Sequence, residues 1–422
     1  MAILTWESPA GTARASRSAA GIASAALGLC LGLLALGPGL RRGFLLSYDM
    51  VFVPREPFSA ALPGLAPPRA VPSDLVIAVA SRAVPADILQ KVVLLSIFVL
   101  ACSGTAALLD REPLPARLAA GAFYAWNPYV AERLIIGQWA LLLGYAGLPW
   151  VLRAVLAPDL ASRRGAARLG LALLPAVIGG FAAMAITALI LVPAAVITRS
   201  ARRAAVALAA LAVGSLPWFI PSLLHAVYVD PASVAAFAAR ADTPFGSIGS
   251  LLMLGGAWDV QTVPKAYGAA WSVLWLAVVI VTLAGCLLIA RRHALAGVSA
   301  EVVPPGQHRW RGLGAAAVAG LVIACLGVTA VGRDLLRSAI SAWPGFAVLR
   351  DAQQFVAPLA LAEAVGFGLP GTRRNGWPRR AWSTPARRPA ACCCCPSRPT
   401  ARRRGTTARW CSTPGPGCCR AR

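Results

Sequence analysis

Asp49 and Glu56 stand in the run Tyr48-Asp-Met-Val-Phe-Val-Pro-Arg-Glu-Pro57, close behind a long apolar stretch. A carboxylate held at such a place can act as a general base toward a hydroxyl group. Arg41, Arg42 and Arg55 flank it, and arginines can neutralise a phosphate leaving group through charge-assisted, often bidentate hydrogen bonds. The other reading of Asp49 is a solvated loop acid, the ordinary place for such a residue.

Three further constellations carry ionisable groups. The run Trp126–Trp139 holds Glu132, Arg133 and Gln138 between two apolar segments. Charges there are costly unless paired or wet, which makes Glu132 and Arg133 functional candidates; an interfacial turn belted by Trp126, Tyr129 and Trp139 is the equal alternative. Arg240 and Asp242 precede Thr-Pro-Phe-Gly and lead to Gly255-Gly-Ala-Trp-Asp259. Arg350, Asp351 and Gln354 precede the last apolar run. Such Arg–Asp neighbours can be plain surface ion pairs. Their repetition in successive loops favours a shared cleft for an anionic, hydroxyl-rich ligand.

Other chemistry is missing. There is no phosphate-binding glycine loop of the Walker type, no nucleophile elbow and no paired-histidine zinc motif. Cys392–Cys395 are consecutive and match no zinc-ligand spacing. No cofactor is indicated, a divalent metal included. Gly312-Leu-Gly314 and the pair Gly28 and Gly32 read as helix-packing positions.

These residues need membrane helices to position them. The 422 residues are 58% hydrophobic and 13% charged, with a mean hydropathy of +0.67; soluble domains carry about 25% charged residues. Apolar runs read as spans, for which a bilayer needs about 20 residues, lie at about Ala19–Leu40, Asp87–Leu109, from Leu118 to a break at Trp126-Asn-Pro128, Ala140–Leu156, Leu169–Thr198, Ala204–Leu223, Ala269–Ala290, Gly312–Val331 and Phe355–Leu369. The run 169–198 is too long for one untilted span and has Gly179-Gly180 at its middle. Divided there into a hairpin, it returns Arg199, Arg202 and Arg203 to the side of Arg163, Arg164 and Arg168, as the positive-inside rule favours. The expected fold is all-α, with about ten transmembrane helices spanning 19–369 and a cytoplasmic N-terminus over 1–18. The loops 41–85, 225–267 and 332–354, with their carboxylates, then share the extracytoplasmic side and carry short helices, one of them at Ser73–Ala83.

Residues 371–422 contain 13 arginines and no Lys, Asp or Glu, more than half of the formal charge of +24. The rest is an ordinary excess from basic cytoplasmic loops, so no nucleic-acid partner is implied. Cys30, Cys102, Cys286 and Cys325 read as small buried side chains within apolar runs. The Arg-, Pro- and Cys-rich tail 370–422 has no apolar face and is expected to be disordered. A frameshift near residue 370 in a GC-rich gene accounts for its composition, with the original C-terminal part lost and the product's activity in question; a basic tail on anionic lipid is the alternative.

A first span followed at once by a loop acid, then broken spans and polar outer loops, resembles the GT-C superfamily of multi-spanning glycosyltransferases. The segments YDMVFVPREP, WNPYVAERLIIGQWALLLGYAGLPW, RADTPFG with LGGAWD, and RDAQQF look like those of bacterial envelope arabinofuranosyl- and mannosyltransferase relatives, over about Ala19–Leu369. The resemblance implies a polyprenyl-phosphate-linked sugar donor and a glycan or glycolipid acceptor. It puts Asp49 in the position of the catalytic acid of the first loop, with Glu56 as a second catalytic candidate. Arg55, Glu132, Arg133, Arg240, Asp242, Arg350, Asp351 and Gln354 become substrate-binding candidates. Many members of the superfamily have two adjacent acids in the first loop, whereas Met50 follows Asp49 here. A lipid transporter or flippase and a non-catalytic membrane scaffold are the rival readings.

Overall fold

The computed structural model describes residues 9–58, 71–224, 229–265, 267–268, 270–298 and 308–369. The expected disordered tail and its frameshift origin fall outside the described residues. Fourteen α-helices make up the described fold. They are α1 (Pro9–Leu36), α2 (Ser73–Ala80), α3 (Ala86–Leu108), α4 (Leu114–Ala125), α5 (Pro128–Ile136), α6 (Trp139–Val155) and α7 (Arg163–Gly179). There follow α8 (Phe181–Ile197), α9 (Ala201–Leu224), α10 (Gly246–Leu252), α11 (Trp271–Val298), α12 (His308–Leu326), α13 (Ala330–Ala342) and α14 (Ala357–Gly368). A single bridge between Ser47 and Met50 is the one strand-like pairing among the described residues.

The span count is lower than the apolar runs imply. Among the described residues four helices are long and apolar enough to cross a bilayer: α1 with its extension to Leu40, α3, α9 and α11. The pair α12 and α13 makes a fifth only if a bend of 91° is allowed within one span. α13 argues against that, because Leu336 and Ile340 are buried on one face while Asp334 and Arg337 pair on the other. Such a helix suits an interface better than a hydrocarbon core.

Burial explains the difference from ten. α4 has 12 residues and reaches only about 18 Å, and the 17 residues of α6, α7 and α8 reach about 25 Å each. The long apolar run does break where expected, at Gly180, whose φ of +76° suits glycine. α6 and α14 are apolar nearly all round because they are covered nearly all round by other helices. A buried core helix and a lipid-facing span read alike in composition; length separates them. α9 and α11 do the opposite of α6. They leave Val213, Ile220, Leu223, Val273, Leu274 and Ile280 exposed, surface that water would not tolerate and lipid would cover.

Close packing follows small residues. α1 lies on α3 where a Cβ on Gly28 would meet Phe98 and Val99, and one on Gly32 would meet Leu95 and Phe98. Gly312 approaches Ala194 of α8 in the same way, but Gly314 faces open space and packs on nothing. α6 lies at the centre against α3, α7 and α8, while α14 packs on α4, α11 and α12. Cys102 is buried and Cys286 and Cys325 are half-buried; Cys30, expected to be buried, is exposed on α1.

Candidate functional site

The site begins with how α5 ends. Asn127 caps its start, its side chain accepting from the Val130 amide at 3.1 Å, and Pro128 takes the first helical position. At the other end Gly137 adopts a φ of +86°. The Gly137 amide donates to Leu134 O and the Gln138 amide to Arg133 O at 2.9 Å, the paired bonds of a Schellman terminus. Two carbonyls remain, and the first loop takes both. Ser47 Oγ donates to Ile135 O, and the Asp49 amide donates to Ile136 O at 2.9 Å. All four terminal carbonyls of α5 are thereby satisfied, and Asp49 is fixed on the end of that helix.

The rest of the loop is clamped as well. Gln90 on α3 accepts from the Leu45 amide at 2.8 Å and donates to Leu45 O at 2.7 Å, a side-chain copy of a strand partner. Lys91 Nζ donates to Gly43 O at 2.7 Å, and Tyr48 OH donates to Gln261 Oε1 at 2.9 Å. Phe52 packs against the Trp139 ring. Asp49, Glu56 and Asp74 then line one cavity of about 220 Å³ with Tyr48, Ile77 and Trp139. Asp49 is exposed and Glu56 half-buried. Burial first, then the Asp74 charge, raises the Glu56 carboxyl above the usual range.

Gly137 is the hinge of this arrangement. A Cβ there would collide with Ser47 O and the Met50 amide, and its φ already disfavours any other residue. Gly137→Ala is expected to cost about 1–3 kcal/mol of stability and to release the Asp49 loop. Limited proteolysis of the purified chain checks this: cleavage within 43–56 should quicken, and an unchanged rate counts against the clamp.

A second group of charges lies deeper. Glu132 and Arg133 are each 1% exposed. Ser250 Oγ accepts from the amides of Asp242 and Thr243 at 3.0 and 3.2 Å, which folds the Arg240–Gly246 run onto α10. The Gly256 and Ala257 amides donate to Asp242 Oδ2. Gly255 leaves the space that lets two carboxylates approach: its missing Cβ would stand 2.8 Å from Asp242 Oδ2 and 3.0 Å from Glu132 Oε1. Burial raises Glu132 far above the ordinary carboxylate range, and the Asp242 charge raises it further. Asp242 is also raised by burial, but its amide donors oppose the rise. Glu132 therefore holds a proton and donates it to Asp242, which accepts it.

Arg133 answers this pair with positive charge. Its guanidinium lies 5.1 Å from the Tyr129 ring centroid, and Nε and Nη1 have no hydrogen-bond partner. Asp351 attracts it, and Asp351 Oδ1 is likewise without a partner. Gln138 Nε2 donates to Asp351 Oδ2 at 3.4 Å, and Tyr129 OH to Gln354 O at 2.9 Å. Buried donors and acceptors are nearly always filled; here several stand open on one arginine, one aspartate and one glutamine.

Three of the four sequence constellations thus meet through Glu132, Arg133, Asp242 and Asp351, and the fourth docks on the end of α5 beside them. Other expected site residues stand apart. Arg55 is exposed and does not line the Asp49 cavity, and Arg240 is exposed. Arg350 is half-buried, 4.0 Å from the Phe237 ring centroid, with Nη1 donating to Ser233 Oγ at 3.2 Å. Gln354 uses its amide on Val348 O. In the sequence Asp74 is one more loop acid, and Gln90 on α3 and Ser250 on α10 carry no signal that sets them apart. Nor is Glu363 singled out, whose carboxyl group is buried within α14. A lone Glu in the apolar run 355–369 was the available sign of it.

Set against protein-family models, curated proteins and solved structures, the chain finds no match in any of the three.

Proposed function

We propose that the chain is a GT-C-like membrane glycosyltransferase. It would move a sugar from a polyprenyl-phosphate donor to a glycan or glycolipid of a bacterial envelope. One observation carries the reading: the end of α5 holds Asp49 over a cavity and places Glu132, Arg133, Asp242 and Asp351 next to it. A transferase of this kind needs a base for the acceptor and positive charge for the leaving phosphate. Asp49 accepts the proton of the acceptor hydroxyl as its oxygen bonds to the anomeric carbon. The bond from that carbon to the phosphate oxygen breaks, and the polyprenyl phosphate leaves with the electron pair. Arg133 and Arg350 are the cations assigned to that phosphate in this reading. The unfilled polar atoms of Gln138 and Asp351 suit sugar hydroxyls. Transfer of labelled sugar from a polyprenyl-phosphate donor to lipid or glycan in membranes tests the reading, and its absence counts against it.

The buried Glu132–Asp242 pair favours a second reading, a lipid transporter that couples movement to protonation. Donor consumption separates the two, because a transporter leaves the sugar–phosphate bond intact.

The proposed orientation puts the N-terminus in the cytoplasm and the Asp49 end outside. Cysteine at Phe245 is expected to react with an impermeant thiol reagent in intact cells, above the level of the unsubstituted chain. Cysteine at Arg164 is expected to stay at that level. The reverse pattern inverts the topology.

A further inference from the structure

The two ends of α6 differ in chemistry. Its N-terminal end, Gln138-Trp139, belongs to the acid-rich region described above. Seventeen residues on, about 25 Å along the axis, its C-terminal end opens into a cavity of about 1000 Å³. Leu108, Trp150, Leu171 and Pro175 form apolar walls. Arg111, Arg153, Arg168 and Arg203 line the same space, opposed by Asp110 and Asp159.

The four arginines come from four separate elements: the turn after α3, then α6, α7 and α9. Two carry opposing charge close by: Arg168 pairs with Asp159, and Arg153 approaches Asp110 only to 3.9 Å with both side chains well exposed. Such pairs exchange readily for a better anion. Arg203 spends one nitrogen on Ala157 O at 2.9 Å, while its buried Nε has no partner. Arg111 is exposed at the mouth. The lining is left with two positive charges in excess, one of them on a buried nitrogen that lacks an acceptor.

We infer that this cleft binds an anionic phospholipid from the surrounding bilayer. Its phosphate would sit among Arg111, Arg153 and Arg203, and its acyl chains would run along Trp150 and Leu171. Charge selects an anion, and arginine selects phosphate by its planar fork of donors. Size and walls select a lipid. The space far exceeds one phosphate group, and Leu171 on its wall is 66% exposed, as a side chain that meets lipid would be. Basic pockets between membrane helices bind phosphate headgroups by this combination. The inference does not depend on sugar transfer, since the cleft lies at the opposite end of α6 from Asp49.

The test uses the full chain in a neutral detergent. Phosphatidylglycerol, phosphatidylcholine and glycerol 3-phosphate are added separately, with thermal unfolding and native mass spectrometry as readouts. Phosphatidylglycerol is expected to raise the Tm and to be retained as a bound lipid, while the other two do neither. Arg111→Gln, at an exposed position, is expected to weaken retention, and Arg111→Gln with Arg153→Gln to weaken it about tenfold or more, the loss of one to two charge-assisted contacts. Arg337→Gln, on α13, should leave it unchanged. Equal stabilisation by phosphatidylcholine removes the recognition of charge and overturns the proposal. A full effect from glycerol 3-phosphate makes it a soluble-anion site and overturns the lipid assignment. Full retention by the folded double variant places the lipid elsewhere.

Discussion

Asp49→Asn is expected to lower sugar transfer by about 10²–10⁴-fold, the range removed with a general base. The substitution keeps the size of the side chain, and the backbone amide that ties residue 49 to Ile136 O is untouched. Membrane insertion and donor retention should therefore persist. Glu56→Gln should cost much less. Glu56 lines the same cavity but is not tied to the end of α5, and burial, then the Asp74 charge, raises its carboxyl above the usual range. Transfer rates for both variants, with donor binding measured separately, decide the assignment. A near-normal rate for Asp49→Asn beside a dead Glu56→Gln reverses the roles, and two near-normal rates end the transferase reading.

How far this site was legible in the sequence depends on the residue. Asn127-Pro128 and Gly137 carry their caps openly, so the break after α4 and the end of α5 follow from local rules. That Glu132 and Arg133 are costly in an apolar setting was also readable, and the structure buries both. What no local rule conveys is who meets them. Asp242 reaches Glu132 because Gly255, over 120 residues further along the chain, has no side chain. Asp49 is placed by carbonyls of α5 that any helix end would offer. Arg55 and Arg240 look in sequence as promising as Arg133, and only the fold leaves them in solvent.

Membrane spans show the same limit from the other side. Apolar runs were found close to where helices lie: α6 begins and ends one residue before the expected 140–156 run. Composition does not say whether a helix is covered by lipid or by protein, and α6 is covered by protein. Charge bias alone puts the basic turns on one face. In the structure Arg111, Arg153, Arg168 and Arg203 line one cavity, while the carboxylate-bearing loops meet at the other end of α6.

Arg133→Met should lower stability by about 1–3 kcal/mol, the range for leaving a buried polar group without its partner. Methionine fills much of the volume, so the cost is electrostatic. Asp351 is half-buried, its Oδ1 has no hydrogen-bond partner, and it would lose the guanidinium that attracts it. Glu132 would lose the same neighbour, but it already carries a proton and suffers less. Adding Asp351→Asn to Arg133→Met should restore much of the loss, since both charges are then gone, whereas Asp351→Asn alone should destabilise by leaving Arg133 unopposed. A double-mutant cycle by chemical or thermal unfolding in detergent measures the coupling between them. Coupling below about 0.5 kcal/mol, within the error of additivity, means the two groups do not act as a pair. If the double variant regains stability yet transfers no sugar, Arg133 serves the phosphate as well as the fold. If it regains both, the arginine is structural, and Arg350 is left as the cation for the leaving group.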